Sequence, residues 1–251
     1  MLHYSEGSVE KDEAIVFIHG FLGSALLWED MIAPLSLKYH CIAIDLPGHG
    51  KSNSLGEVHT MEAMASELKK LLDEKEISKC HLIGHSMGGY VALAFLEANP
   101  SYCASLCLLN STSQADSAER KLLREKSIRL VLANPSAYIQ ATMGSLFPPN
   151  YTNEKAFDTA LSVGLQTPVK GIVASIKGMM RRKNRTHLLP TFKNLLFIYS
   201  ETDPILDLTS LQKVLNDLPP KKALRIEGAH MGLLEQPLEL AKQYQAWLLS
   251  L

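Results

Sequence analysis

The sequence has almost no excess of charge of either sign. Lysine and arginine number 25 against 26 aspartates and glutamates, which gives a formal net charge of −1 at pH 7. Proteins that bind nucleic acids or anionic membrane surfaces usually carry a clear basic surplus, so we expect neither partner. The chain also lacks an uninterrupted run of about 18 apolar residues, and its opening MLHYSEGSVEKDEA has no basic segment followed by an apolar one. These absences predict no membrane span and no signal peptide.

Cysteine is scarce, and no CxxC pair occurs. The four cysteines lie in or beside apolar runs, at Cys41, Cys80, Cys103 and Cys107. Such residues are typical of buried free thiols, which suit a reducing compartment, so we predict a cytoplasmic location. A nucleotide-binding loop, paired metal ligands and a haem motif are also absent from the sequence, and we expect no cofactor and no metal.

The 251-residue chain is long enough for one large domain, and hydrophobic residues make up 46% of it. Its short apolar runs are continuous rather than alternating, which is typical of strands buried on both faces of a parallel sheet. These runs cover residues 14–18, 41–44, 80–84, 105–109, 194–199 and 223–227. Between them, apolar residues recur at spacings of three and four, which predicts helices over 25–38, 60–76, 87–98, 207–216 and 238–250. The alternation predicts an α/β fold with a mostly parallel β-sheet flanked by helices.

The alternation stops between residues 112 and 190. This segment is compatible with helices throughout and is too long for one crossover between strands. We therefore predict an inserted helical cap over 112–190 and a core formed by residues 1–111 and 191–251. Residues 111–190 carry 12 lysines and arginines against 5 aspartates and glutamates, whereas the rest of the chain carries 13 against 21. Either the cap presents a solvated basic face, or it receives an acidic substrate through Arg124, Arg129, Arg181, Arg182 or Arg185.

One pentapeptide, Gly84-His85-Ser86-Met87-Gly88, matches the pattern G-x-S-x-G between a predicted strand and a predicted helix. A serine at so tight a turn takes strained backbone angles and needs small neighbours, which the two glycines supply. The turn lifts the hydroxyl above the sheet, beside a helix N-terminus that favours negative charge. The pattern predicts that Ser86 is a nucleophile; the alternative is an ordinary helix N-cap.

A serine nucleophile needs a base. His230 follows the last predicted strand, in a loop that Gly228 allows to turn, and this is where we expect the base. His85 is next to Ser86, but adjacent residues on such a turn point apart, so we reject it. His187 lies in the insertion, with no strand end beneath it.

The base in turn needs a carboxylate to orient it. The segment after the run 194–199 offers Glu201, Asp203 and Asp207. We select Asp203, because Pro204 marks a loop that projects from the strand, whereas Asp207 is expected in the first turn of the next helix. Asn110, at the end of the preceding strand, cannot supply the negative charge.

The reaction also needs N–H donors for a developing oxyanion. The backbone N–H of Met87 starts the helix after the turn, and the glycines of HGFLG (19–23) allow the N–H of Phe21 to face the site. We predict that these two groups form the oxyanion hole. The substrate pocket is predicted to include Leu22, Tyr90, Met143 and Phe147.

Five segments occur in the order HGFLGS, DLPGHGKS, GHSMGG, SETDPI and EGAHMGLLEQP. Together they resemble the α/β-hydrolase superfamily, whose members carry the triad in the order Ser, Asp, His, here Ser86, Asp203 and His230. The resemblance implies eight strands with a helical cap after the sixth, although the short N-terminal strands allow one to be missing or poorly formed. It also implies that Asp45 and His49 are structural.

Within the superfamily, the chain looks most like small capped carboxylesterases, C–C bond hydrolases and the menaquinone-pathway synthase that eliminates pyruvate. That synthase usually has an arginine soon after the nucleophile and a Tyr-Ser pair, where this chain has Tyr90 and His85-Ser86. Dehalogenases and epoxide hydrolases of this fold use an aspartate nucleophile, which Ser86 argues against.

The sequence thus predicts a serine hydrolase that cleaves a small-molecule ester or related acyl substrate. A C–C bond hydrolase or menaquinone-pathway-like lyase acting on a carboxylate-bearing substrate is the first alternative. The second is a non-catalytic ligand-binding protein of the same fold. The oligomeric state is left open.

Overall fold

The continuous apolar runs form strands in the computed structural model, which describes residues 2–7, 11–218 and 222–251. The strands are β1 (Tyr4–Gly7), β2 (Ala14–Ile18), β3 (His40–Ile44), β4 (Cys80–His85), β5 (Cys103–Leu109), β6 (Leu195–Ser200) and β7 (Ala223–Ile226). They make one sheet in the order β1-β3-β2-β4-β5-β6-β7, in which β1 is antiparallel to β3 and every other pair is parallel. Every residue of β2, β3 and β6 is buried, as expected for strands covered on both faces. The predicted α/β fold class is confirmed.

The strand count differs from the eight that the resemblance implied, because the described residues form seven. The helical insertion consequently follows the fifth strand rather than the sixth. Strand β1 was not predicted at all: its sequence YSEG contains no apolar run, and two of its four residues are exposed. Its backbone pairs with β3 at the edge of the sheet. An antiparallel edge strand can leave one face exposed to solvent, so it needs fewer apolar residues than a central strand.

The helices lie between the strands. They are α1 (Glu29–Leu35), α2 (Met61–Glu74), α3 (Met87–Ala98), α4 (Ala118–Ala133), α5 (Pro135–Leu146), α6 (Glu154–Leu165), α7 (Val169–Met180), α8 (Leu208–Asn216), α9 (Gly232–Glu235) and α10 (Pro237–Leu248). Helix α3 covers the whole range predicted for it. The range predicted as 25–38 is divided into a 3-10 helix, Ala25–Trp28, and α1. None of the described helices is both long and apolar enough to cross a membrane.

Four helices, α4–α7, are inserted between β5 and β6. Polar side chains begin three of them: Ser117, Asn134 and Asn153 each accept a hydrogen bond from the backbone N–H three residues later. Helix α4 packs against α5 and α7, and α5 packs against α6. The boundaries 112–190 for a separate cap remain a prediction.

The register of the sheet brings several loops to one edge. Ile18, the last residue of β2, pairs with Gly84 in β4, and His85 pairs with Leu109 at the end of β5. The carboxyl ends of β6 and β7 also coincide, because Ser200 pairs with Ile226. The segments after these strands therefore emerge at the same edge, which is where open α/β sheets place their sites.

Candidate active site

The turn between β4 and α3 holds Ser86 in a strained conformation. Its backbone angles, φ 52° and ψ −116°, lie outside the regions that L-residues usually adopt. A Cβ atom on Gly84 would lie 2.5 Å from the carbonyl oxygen of Gly88, and one on Gly88 would lie 2.1 Å from the carbonyl oxygen of Ile18. The turn thus requires both glycines. The hydroxyl of Ser86 makes no capping hydrogen bond, so the ordinary N-cap interpretation is wrong.

The structure brings together the three side chains that the sequence analysis selected. Oγ of Ser86 lies 2.9 Å from Nε2 of His230, and Nδ1 of His230 lies 2.7 Å from Oδ2 of Asp203. His230 and Asp203 are both buried. The imidazole therefore joins the hydroxyl to the carboxylate in one line of hydrogen bonds, as acid–base activation of a hydroxyl requires.

Both carboxylate oxygens of Asp203 accept hydrogen bonds. The backbone N–H groups of Ile205 and Leu206 donate to Oδ1 at 2.7 and 3.1 Å, and Nδ2 of Asn110 donates to Oδ2 at 2.6 Å. Burial by itself raises the pKa of Asp203, but the hydrogen bonds from His230, Asn110 and Ile205 outweigh it and lower the pKa below the ordinary value. The carboxylate is therefore ionised at neutral pH and fixes the proton of the imidazole on Nδ1, which leaves Nε2 free to accept.

The loop that carries His230 is held on both sides. The carboxylate of Glu235 accepts hydrogen bonds from the backbone N–H groups of Ala229 at 2.8 Å and Met231 at 2.9 Å, and burial raises the pKa of Glu235. Nε2–H of His85 donates to the carbonyl oxygen of His230 at 2.8 Å. Burial lowers the pKa of His85 to about 3, so it stays neutral at physiological pH. His85 thus positions the loop, and its Nε2 is occupied by this carbonyl rather than by Ser86.

The peptide between Gly20 and Phe21 is held in one orientation. Nδ1–H of His19 donates to the carbonyl oxygen of Gly20 at 2.7 Å, and the N–H of Gly23 donates to the same oxygen at 3.1 Å. Burial lowers the pKa of His19 to about 4, so it remains neutral, and its Nε2 accepts the N–H of Leu46 at 2.9 Å. Because the C=O and N–H of a trans peptide point in opposite directions, the N–H of Phe21 points away from these two donors. It has no acceptor within the described part of the chain.

The second predicted oxyanion donor, the N–H of Met87, belongs to the turn at Ser86, which packs against the loop that carries Phe21. The N–H of Met87 begins α3 and also lacks an acceptor among the described residues. A Cβ atom on Gly20 would lie 3.2 Å from Cβ of Ser86 and 2.8 Å from Nδ1 of His85, so the two loops touch. Both predicted donors are therefore on segments that pack at Ser86.

A cavity of about 260 Å³ opens above Ser86 and His230. Of the four residues predicted for the pocket, Tyr90 and Met143 line it, together with Gly20, Phe21, Gly23, Leu27, His85, Arg120, Leu123, Arg124, Ser127, Tyr138, Thr142, Ser145, Leu146, Met179, Ile205 and Met231. The predictions for Leu22 and Phe147 differ from the structure. Leu22 is fully buried in the core, and Phe147 packs against Tyr151 at 5.0 Å between ring centroids.

Asp45 and His49, which the resemblance implied to be structural, do not line this cavity. Asp45 accepts hydrogen bonds from the backbone N–H groups of Ala25 at 2.8 Å and Lys51 at 2.9 Å. These contacts join the loop after β3 to the segment after β2. Within the described ranges, no group of three or more His, Cys, Asp or Glu side chains is arranged to hold a metal ion.

Comparison with known proteins gives one family and many relatives. A family model of the α/β hydrolase fold matches residues 13–237. The chain is 25% identical over 240 residues to RutD of Pseudomonas syringae pv. syringae, a proposed carbamate hydrolase, with 93% of each chain covered. It is 31% identical over 179 residues to RutD of Pantoea ananatis. That match covers 70% of this chain and 62%, less than two thirds, of the relative. A thermophilic esterase from Thermogutta terrifontis, solved with malate bound, superposes with a TM-score of 0.92 at 26% identity, over 99% of this chain and 93% of the esterase.

Proposed function

We propose, because the chain belongs to the α/β-hydrolase family, that it is a serine hydrolase that cleaves a small ester or related acyl substrate. The observation that carries the proposal is the line of hydrogen bonds from Ser86 through His230 to Asp203. Nε2 of His230 lies 2.9 Å from Oγ of Ser86, and the ionised Asp203 leaves this nitrogen free to accept the proton of the hydroxyl. The similarity to esterases and hydrolases over nearly the full length supports the same reaction class.

The first half of the proposed reaction forms an acyl-enzyme. Oγ of Ser86 attacks the carbonyl carbon of the substrate while Nε2 of His230 takes its proton. The negative charge that develops on the carbonyl oxygen is stabilised by the N–H groups of Phe21 and Met87 and by the N-terminus of α3. His230 then gives the proton to the leaving alcohol as the C–O bond breaks, and the acyl group stays on Ser86.

The second half releases the acid. A water molecule takes the place of the alcohol, and Nε2 of His230 removes its proton as the oxygen attacks the acyl carbon. The same two N–H groups stabilise the second oxyanion, and the bond to Oγ of Ser86 breaks as His230 returns the proton to it. Asp203 stabilises the imidazolium that forms in both halves, without taking a proton itself.

The decisive test is chemical labelling of the nucleophile. We expect an active-site fluorophosphonate to label the wild-type protein and not Ser86→Ala, because only a hydroxyl activated by a base attacks phosphorus at a useful rate. Turnover of short p-nitrophenyl esters should fall on the order of a million-fold in the same variant. Ser136→Ala, which removes an exposed hydroxyl from α5, is the matched control and should be labelled like the wild type. Equal labelling of wild type and Ser86→Ala would refute the assignment.

Carbamates are a second substrate class within the same proposal. The observation that favours them is the similarity to RutD proteins, over 93% of both chains in one case. A carbamate carbonyl passes through the same kind of tetrahedral oxyanion, so the proposed groups keep their roles. Comparing kcat/KM for matched ester and carbamate p-nitrophenyl substrates separates the two classes. A carbamate preference assigns the protein to the second class, and an ester preference to the first.

The proposed compartment is the cytoplasm. All four cysteines are buried and carry free thiols, which is the state that a reducing environment maintains. Localisation of a tagged full-length chain by fractionation tests this, and recovery outside the cytoplasm would contradict it.

A further inference from the structure

The charged side chains that line the cavity at Ser86 are of one sign. Arg120 and Arg124, both on α4, contribute to the wall, and no aspartate or glutamate does. Asp116, whose side chain is fully buried, pairs with one of these two arginines. Nε of Arg124 lies 2.5 Å from Oδ2 of Asp116, so the charge of Arg124 is already paired. The other oxygen of Asp116 lies 2.5 Å from Nη1 of Arg182.

Arg120 differs from Arg124 in having no carboxylate partner. Its Nη2 donates to the carbonyl oxygen of Ile205 at 3.2 Å, and no ion pair joins its guanidinium to an acid in residues 2–7, 11–218 or 222–251. Its backbone is fixed, because its N–H donates to Oγ of the N-cap residue Ser117 at 3.2 Å. A guanidinium has five N–H donors, so most of those of Arg120 remain available to a ligand.

The contact with Ile205 places Arg120 close to the proposed catalytic residues. Ile205 lies two positions after Asp203, and its N–H donates to Oδ1 of Asp203 at 2.7 Å. Arg120, Ile205, Ser86 and His230 all line the same cavity. Arg120 also lines a second, polar cavity of about 170 Å³, which shares Tyr90 and Ile205 with the first and whose wall includes Asp116 and Asp207. An anion that reaches Arg120 from the first cavity meets no lining acid, whereas the second cavity carries two.

The arginines named in the sequence analysis are placed differently. Arg182 stacks on the ring of Tyr90 at 4.1 Å and pairs with Asp116, and Arg185 pairs with Glu97 at 3.0 Å. The two that remain are exposed and do not line the cavity: Arg129 and Arg181. The basic surplus of the insertion thus consists mostly of structural and solvated charges, and Arg120 is the exception.

We infer that Arg120 binds a carboxylate of the substrate, so that the preferred substrates are small esters or related acyl compounds that carry a carboxylate away from the scissile carbonyl. This inference rests on the proposed function for the reaction and adds the substrate class. The planar guanidinium matches a carboxylate in a two-point contact. The mostly apolar remainder of the wall, including Leu27, Leu123 and Leu146, suits a short carbon chain between the carboxylate and the ester.

The test compares two substrates of similar length, neutral p-nitrophenyl butyrate and anionic mono-p-nitrophenyl glutarate. We expect the wild type to have the higher kcat/KM for the anionic ester. In Arg120→Gln the ratio of anionic to neutral kcat/KM should fall roughly 10- to 100-fold, mainly through KM, because a charge-assisted contact is lost. Arg120→Lys should restore part of the ratio, since it keeps the charge but loses the two-point geometry. Arg129→Gln removes an exposed charge from the same helix and should leave the ratio unchanged.

A binding measurement keeps the inference independent of turnover. Glutarate should raise the melting temperature of the Ser86→Ala variant, and adding Arg120→Gln to that variant should abolish the rise. Equal losses for both esters in Arg120→Gln would show a structural role and overturn the inference, as would an unchanged ratio or an unchanged response to glutarate. Failure of the proposed function has a different signature, which is fluorophosphonate labelling of Ser86→Ala equal to that of the wild type.

Discussion

The buried carboxylate of Asp116 pairs with Arg124, in the wall of the cavity, and with Arg182, and its removal gives the sharpest stability prediction. Its side chain is 0% exposed, and the side chains of Arg182 and Arg124 are 6% and 15% exposed. Asp116→Asn keeps the volume and removes the charge, which leaves two largely desolvated guanidinium groups without a counter-ion. Breaking a buried pair on one side costs about 3–5 kcal/mol. For a chain of this length that corresponds to a fall in melting temperature of roughly 6–20 °C.

The assay is urea unfolding monitored by circular dichroism. The change in the midpoint concentration of urea, multiplied by the slope m shared by the variants, gives the change in free energy of unfolding. The matched control is Glu201→Gln, which removes the acid from an exposed ion pair with Arg225 whose N–O distance is 2.6 Å. The pairs in the two sites have similar lengths and differ in burial, so the control should show no measurable change. Similar losses in both variants would refute the argument that desolvation, rather than contact distance, sets the energetic effect. No loss in Asp116→Asn would refute it as well.

Two further predictions concern the turn at Ser86 and the line of hydrogen bonds behind it. Gly88→Ala should abolish folding or lower the melting temperature severely, because the new Cβ would lie 2.1 Å from the carbonyl oxygen of Ile18. The matched change Gly144→Ala adds a Cβ in α5 with no atom within 4 Å, and it should stabilise the fold by about 0.5–1 kcal/mol. Comparison of thermal melts tests both, and equal effects would contradict the steric argument. The pKa of Asp203 in the folded protein is below the ordinary 3.8, so on acidification the unfolded chain takes up this proton before the folded protein does. The ionised Asp203 therefore stabilises the fold above pH 3.8, and this stabilisation is lost as the pH falls through the folded-state pKa. The gap in urea midpoint between wild type and Asp203→Asn should therefore narrow on acidification below about pH 4, and a constant gap would contradict the lowered pKa.

Much of the fold was predictable because its strands are buried on both sides. The six continuous apolar runs all became strands, since such runs have few other stable placements in a domain of this size. Strand β1 escaped prediction for the opposite reason: an edge strand needs little apolar surface, so YSEG leaves no trace in the pattern. Asp207, expected in the first turn of a helix, is the N-cap of α8, a displacement of one position.

The residues proposed to react were easier to predict than the residues that support them. Ser86 was recognisable from local sterics, and His230 from its place after a strand. Asn110 was considered only as a replacement for a carboxylate, and its amide is instead a donor to Asp203. The signal that could have identified it is a polar residue directly after a buried strand; asparagine is also one of the residues that tolerate the positive φ of 45° found there.

The assignment of the cationic residues required the three-dimensional structure. The sequence shows how many basic residues the insertion has, but not which of them face the site. Hydrophobic periodicity does not reveal which acid pairs with each arginine. Asp116 is distant along the chain from Arg182, yet the two pair directly, and Arg120 remains without such a partner. For the same reason the predicted pocket residues Leu22 and Phe147 could not be separated from Tyr90 and Met143.

The insertion of α4–α7 at one crossover has a consequence for how this protein can diversify. The hydroxyl, the imidazole and the acid come from loops whose ends are fixed by the pairing of β4, β6 and β7, while Arg120 and Met143 come from the inserted helices. Substitutions at Arg120 or Met143 can therefore change the wall of the cavity while the strand pairing that positions the proposed catalytic residues stays as it is. Exchange of the whole insertion is more restricted, because α7 packs closely on the loop after β3, where a Cβ atom on Gly171 would lie 2.1 Å from the carbonyl oxygen of Gly48.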